Sequence, residues 1–191
     1  VSTYQAVSGA GKEGIDELDA QVRDHSEGRE MTANILPSAS AEKHYPIAFN
    51  LIPQIDVFCD NLYTKEEMKM VNETKKIMED YEMRITATTI RVPVYRSHSE
   101  SVNIELEKEV DLGAMREALA KFPGVTVQDD PSKQEYPMPL YTSEKDDVYV
   151  GRLRRDESCE KSYNMWVVGD QIRKGAALNT LQIAETMIKN G

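Results

Sequence analysis

A chain of 191 residues with 23 Lys and Arg against 33 Asp and Glu has a formal net charge of −10, which argues against nucleic acid or an anionic membrane as its main partner, since both are held by clustered positive charge. Hydrophobic residues at 40%, with 10 Gly and 8 Pro, supply enough apolar mass for a globular core and exclude the disordered and collagen-like classes. Two cysteines, Cys59 and Cys159, are too few for a disulfide scaffold, no basic-then-apolar leader suggests secretion, and no apolar run approaches the roughly 20 residues that span a bilayer, so a cytoplasmic domain is expected.

The chain enters at Val1, without a methionine, directly into VSTYQAVSG, whose alternating Val, Thr and Tyr predict a strand. Domains seldom open so abruptly, and the expectation is a piece of a longer polypeptide. Gly9 to Gly14 make a turn, and Ile15, Leu18 and Val22 at helical spacing predict a short amphipathic helix. Residues 23–43 are polar, contain Gly28 and Pro37, and read mostly as loop; 47–58 are mainly apolar but broken by Pro53, which suits an extended, buried passage. Over 64–81, Met68, Val71, Lys75 and Met78 share one stripe, and Thr64 with Glu67 three residues on forms a capping box.

The period then changes to two. Residues 84–94 and 101–108 predict strands joined by the polar turn YRSHSE. Leu112, Met115, Leu119 and Phe122 predict a helix stopped by Pro123-Gly124, followed by a short strand, VTVQD. Two more strands are expected at 146–156 and 164–174, around the charged turn ESCEKS. A last helix presents Leu178, Leu181, Ala184 and Ile188, with Gly191 near its C-cap. Strands that succeed one another without a helix between each pair favour an α+β fold: a largely antiparallel mixed sheet with helices on one face, residues 1–191 forming one domain.

Few motifs carry chemistry on their own. Gly9, Gly11 and Gly14 make a formal GxGxxG between strand and helix. The strand before it alternates polar residues, however, and no second apolar strand ending in an acid follows about 20 residues on. An ordinary glycine-rich turn is the simpler reading. Arg91 at the end of a strand and His98 in the turn after it can project from one sheet edge toward a common cleft, where Arg suits a carboxylate and His suits proton transfer near neutral pH; taken alone, such a pair is more often two surface residues of a loop. Glu66 and Lys69 form an i, i+3 pair on a helix crowded with other charges. His25 and His44 lack partners at metal-ligand spacing, so no metal is expected, and the pairs Asp129-Asp130 and Asp146-Asp147 read as turn residues.

Taken together, STYQAVSGAGK, HYPIAFNLIPQIDVF, YTKEEMKM, RVPV, HSESVNIE, VYVGRLRRD and NMWVVGDQIRKGAALNTLQIAE resemble the C-terminal part of aspartate-β-semialdehyde dehydrogenase, especially the Gram-positive bacterial type. The resemblance implies the glyceraldehyde-3-phosphate-dehydrogenase-like C-terminal fold, a missing N-terminal NADP-binding Rossmann domain, and a nucleophilic Cys upstream of Val1. It implies NADP-dependent reductive dephosphorylation of β-aspartyl phosphate to aspartate semialdehyde through a Cys thioester, in lysine, threonine and methionine biosynthesis, by a homodimer. On this resemblance Gln5 orients the substrate beside the nucleophile and His98 is the acid/base. Arg91 grips the α-carboxylate, Glu66 takes the α-amino group and Lys69 helps hold the phosphate, while Ser8, Gly9 and Asn179 are matched to the nicotinamide side. The sequence departs from the family pattern at TTIR, at Cys59 in FCDN, and at Tyr95-Arg96 before Ser97-His98, where Arg96 is expected to alter substrate fit. Without its nucleophile the chain is expected to be inactive alone; the alternative reading is a non-catalytic dimerisation or interaction module derived from the family.

Overall fold

The computed structural model describes residues 1–190, so the predicted C-cap at Gly191 lies outside the described residues. The chain divides into two compact units, the first Val1–Tyr95 and the second from Arg96 onward.

In the first unit, β1 (Ser2–Gln5) pairs in parallel with β2 (Thr88–Arg91), bringing Thr3 opposite Thr89 and Gln5 opposite Arg91. These four residues are the buried ones of their strands. A 3-10 turn (Val7–Ala10) leads into α1 (Gly11–Ser26). The glycine-rich run has structural tasks here. Gly11 takes φ +81°, which a side chain would strain, and a Cβ on Gly14 would stand 2.6 Å from the Val7 carbonyl oxygen. The apolar core combines Val7 and Leu18 with Leu36, Ile47, Ala48 and Ile52 from the long irregular segment that follows. α2 (Lys65–Ile77) starts at the predicted capping box: Thr64 Oγ1 accepts from the Glu67 N–H at 3.2 Å, and the Glu67 carboxylate accepts from the Thr64 N–H at 2.8 Å.

In the second unit four strands lie in the order β3-β6-β5-β4: β3 (His98–Glu105), β4 (Val125–Val127), β5 (Val148–Arg155) and β6 (Ser162–Gly169). The β3/β6 and β5/β6 pairs are antiparallel and β4/β5 is parallel, the largely antiparallel mixed arrangement that the succession of strands predicts. α3 (Leu112–Lys121), N-capped by Asp111, packs Met115 against Leu153 and Tyr163. The Tyr163 hydroxyl, on a fully buried ring, donates to the Val110 carbonyl at 2.6 Å and accepts from its N–H at 2.7 Å. α4 (Pro139–Thr142) precedes β5, and a π-helical turn (Arg173–Ala177) leads from β6 into α5 (Leu178–Asn190).

Several expectations need correction. The first helix runs from Gly11 to Ser26, so part of the expected loop is helical, and its inner face takes Gln21 while Val22 is 38% exposed. Gln21 is drawn in by its amide: Oε1 accepts from the Ile47 and Ala48 N–H groups at 2.8 and 3.0 Å, and Nε2 donates to the Thr32 carbonyl at 2.9 Å. The second helix stops at Ile77, which leaves Met78 exposed. The expected strand at 84–94 is reduced to Thr88–Arg91, and the following strand starts three residues early, placing His98 in β3 and out of the turn. Its pairing opposite Gly169 supplies ladder bonds that the polar sequence HSES does not advertise. Phe122, Leu181 and Ile188, all predicted to face a core, are exposed. Asp129 and Asp147 do more than turn the chain: Asp129 pairs with Arg116 at 2.8 Å, and Asp147 accepts from the Thr126 hydroxyl at 2.7 Å.

Candidate active site

The buried face of the β1/β2 pair is polar throughout, and the N-terminus of α2 is fastened to it. Glu67 makes the attachment: one carboxylate oxygen closes the capping box while the other accepts from the Thr89 N–H at 3.0 Å. This fixes Glu66, one residue away, within reach of Gln5, whose Nε2 donates to Glu66 Oε1 and to Thr3 Oγ1, each at 3.3 Å. The other Glu66 oxygen accepts from Lys69 Nζ at 3.0 Å, and this hydrogen bond raises the Lys69 pKa above its ordinary value. Of the residues singled out in the sequence, Gln5, Glu66 and Lys69 are joined by hydrogen bonds, and Arg91 lies opposite Gln5 in the strand pair of the same unit.

Arg91 is the most demanding of them. Its backbone pairs with Ile52 on the side away from β1, and the residue is 4% exposed. Nη1 donates to the Ala6 carbonyl at 2.6 Å, and Nε has no hydrogen-bond partner among the described residues. Burial lowers its pKa to about 10, opposed by the negative charge of Glu66, so it remains a cation at neutral pH. A buried cation with an unmet donor costs free energy.

In the second unit His98, half-buried, opens β3 and lines a cavity of about 330 Å³ together with Glu100, Val148, Val167, Asp170 and Lys174. Glu100 lies two residues along the same strand face, and burial pushes its carboxyl above the usual range. Asp170 is fully buried; it pairs with Arg96 at 2.7 Å and accepts from the N–H groups of Glu144, Ile172 and Arg173. Arg96 is thus engaged with Asp170. Sequence reasoning singled out neither Glu100 nor Asp170. The two-residue spacing from His98 marks Glu100 once the strand is known to begin there, whereas Asp170 lies in a turn-like GDQ that gives no sign of burial.

Ser8 and Gly9 occupy the 3-10 turn just after Gln5, Ser8 buried and Gly9 exposed, and Asn179 is half-buried on α5 in the second unit. The N–H groups of Ser8, Gly9 and Gly11 are spent on Tyr95, Ala6 and Ser8 carbonyls. Among the described residues no group of three His, Cys, Asp or Glu side chains is placed to hold a metal ion. No helix is long and apolar enough to cross a membrane.

Residues 1–174 match the family model described as semialdehyde dehydrogenase, dimerisation domain, and the chain belongs to that family. Its relatives narrow the family to one activity class by name. It is 50% identical to the aspartate-semialdehyde dehydrogenases of Aquifex aeolicus (100% of this chain, 54% of that protein) and Bacillus subtilis (99% and 55%). The fold agrees: aspartate semialdehyde dehydrogenase II of Vibrio cholerae superposes with a TM-score of 0.90 at 42% identity, over 98% of this chain and 53% of that one, and the same protein complexed with ASA gives 0.89. The chain spans about half the length of these relatives.

Proposed function

We propose that this chain is the substrate-binding and dimerisation part of an NADP-dependent aspartate-semialdehyde dehydrogenase, a cytoplasmic homodimer that makes aspartate semialdehyde and phosphate from β-aspartyl phosphate in lysine, threonine and methionine biosynthesis. The observation that carries the reading is Arg91, a buried residue whose Nε has no hydrogen-bond partner among the described residues. A module needing only an interface has no physical reason to bury such a group. Two relatives' names add support: the Vibrio cholerae protein was crystallised with ASA, and an aspartate semialdehyde dehydrogenase of Candida albicans with NADP.

The substrate is an amino acid with two anionic ends, and the polar groups divide accordingly. Arg91 receives the α-carboxylate, recovering the free energy that its desolvation costs. Glu66 receives the α-ammonium; the ammonium takes the place that Lys69 Nζ holds at 3.0 Å, and the released lysine, more than half exposed, turns to the phosphate. Gln5 keeps Glu66 in place through its amide and orients the acyl carbon. The thioester forms on a cysteine of the full-length parent, since Cys59 and Cys159 are free thiols in unrelated surroundings. His98 takes the thiol proton, and later holds or returns a proton at the hemithioacetal oxygen. NADP, when bound, supplies the hydride exchange; Ser8 and Gly9, and separately Asn179, are the residues of this chain assigned to its nicotinamide end.

The experiment is a phosphate-dependent assay of the full-length parent with aspartate semialdehyde and NADP, comparing wild type with His98→Asn. Turnover should fall by about 10²-fold or more in the variant while the substrate KM changes little. A parent with no phosphate-dependent activity, or a His98→Asn variant as fast as wild type, rejects the assignment.

A further inference from the structure

The residue before the acid/base candidate has an unusual backbone. Ser97 is fully buried and takes φ +75°, a conformation that L side chains rarely adopt unless their surroundings impose it. The surroundings are present on two sides. From α4, Thr142, 1% exposed, pairs its Oγ1 with the Ser97 hydroxyl at 2.7 Å, and Ser143 Oγ donates to the Arg96 carbonyl at 3.2 Å. From the exit of β6, Gln171 Oε1 accepts from the Ser97 N–H at 3.1 Å, and Asp170 holds the Arg96 guanidinium. The Thr142 hydroxyl also lies 3.2 Å from the Met138 carbonyl and 3.5 Å from that of Pro139, so it can accept from Ser97 while donating to a carbonyl of its own segment. With Glu144, which accepts from Arg96 Nη1 at 3.2 Å, five side chains thus grip the two residues that deliver His98 into β3.

We propose that Thr142 is a positioning residue for His98: through the buried hydroxyl pair it holds Ser97 at positive φ and thereby fixes the direction in which the imidazole leaves the strand. This rests on the acid/base role given to His98 above. Removing the acceptor leaves the Ser97 hydroxyl buried without a partner, and Ser97 then relaxes toward an ordinary negative φ. The turn of the peptide plane that accompanies this relaxation moves the His98 ring off its proton-transfer geometry, to which the chemical step is sensitive and substrate binding is not.

The test is steady-state kinetics of the full-length enzyme with aspartate semialdehyde, NADP and phosphate, alongside thermal unfolding. Thr142→Val, which exchanges the hydroxyl for a methyl of the same size, should lower kcat about tenfold with the semialdehyde KM within about twofold, and Thr142→Ser should restore kcat to within about threefold of wild type. Ser97→Ala, which removes the other hydroxyl, should reproduce the kcat loss and serves if Thr142→Val does not fold. Wild-type kcat in Thr142→Val or in Ser97→Ala overturns the proposal, as does a loss that Thr142→Ser shares in full. His98→Asn separates the two readings: if it is inactive while Thr142→Val is not impaired, positioning by Thr142 fails alone; if it is fully active, the acid/base role fails and the proposal with it.

Discussion

The two units use their buried faces in opposite ways. Strands β1 and β2 turn Thr3, Gln5, Thr89 and Arg91 inward, whereas the sheet of the second unit turns Val150, Leu153, Tyr163 and Val168 inward. The second arrangement is largely that of a core, in which apolar area leaves water and the Tyr163 hydroxyl has both of its bonds, although β3 and β6 also bury Ser99 and Ser162. The first carries a cost, since Arg91 Nε is buried without a partner among the described residues. A buried strand face that departs from the ordinary apolar rule is where a functional or strained site is expected.

Arg91→Met is the strongest test of this contrast. In the full-length enzyme it should cost about 4 kcal/mol, about 10³-fold in kcat/KM and mostly in KM, because the carboxylate loses a buried cation. The same substitution should leave the melting temperature of the ligand-free chain unchanged or higher, which calorimetry reads directly; a clear loss of stability would show that Arg91 is structural. Gln21→Ala comes next, at about 2–3 kcal/mol of stability by urea unfolding, since it strands the buried N–H groups of Ile47 and Ala48. Tyr163→Phe should cost about 1–2 kcal/mol in the same measurement and leave kinetics untouched, as expected of a residue whose bonds serve only the core.

Glu100→Gln gives the smallest effect, about 1 kcal/mol or less, and its sign depends on pH. Burial raises the folded-state pKa of this carboxyl, so the folded chain binds its proton more tightly than the unfolded chain does. That contribution to stability is complete below the unfolded value and is lost as pH rises through the folded one. The variant should therefore gain on wild type at pH 7 and lose the advantage near pH 4. Equal melting temperatures for the two proteins at pH 7 would contradict a desolvated carboxylate.

Much of this was legible in the residues. The capping box at Thr64 and Glu67 announces α2, and β-branched alternation announces β3, β5 and β6, because both signals depend on neighbours within a few positions. The Glu66–Lys69 pair also lies in the sequence, but its weight comes from Gln5, 61 residues from Glu66, which no local pattern connects to it. The errors share a cause. In a periodicity reading polarity stands for exposure, which selects Val22 over Gln21 and puts His98 in a turn; the Gln21 amide is satisfied by distant backbone, and the His98 backbone pairs opposite Gly169. Asp170 escaped for the same reason: four groups that pair with its carboxylate arrive from positions 96, 144, 172 and 173.

Gln21 has a consequence for how the first unit opens. Between Glu27 and Ile47 the chain has no helix or strand of its own, yet the amides of Ile47 and Ala48 are latched to the middle of α1 by one carboxamide. Their protons can be traded with solvent only when that latch lifts, so in hydrogen exchange they should share the protection of the helix interior and not that of the loop they belong to. The helix and a segment 26 residues away then open as one cooperative unit, and a single side chain makes an irregular stretch as slow to exchange as regular structure.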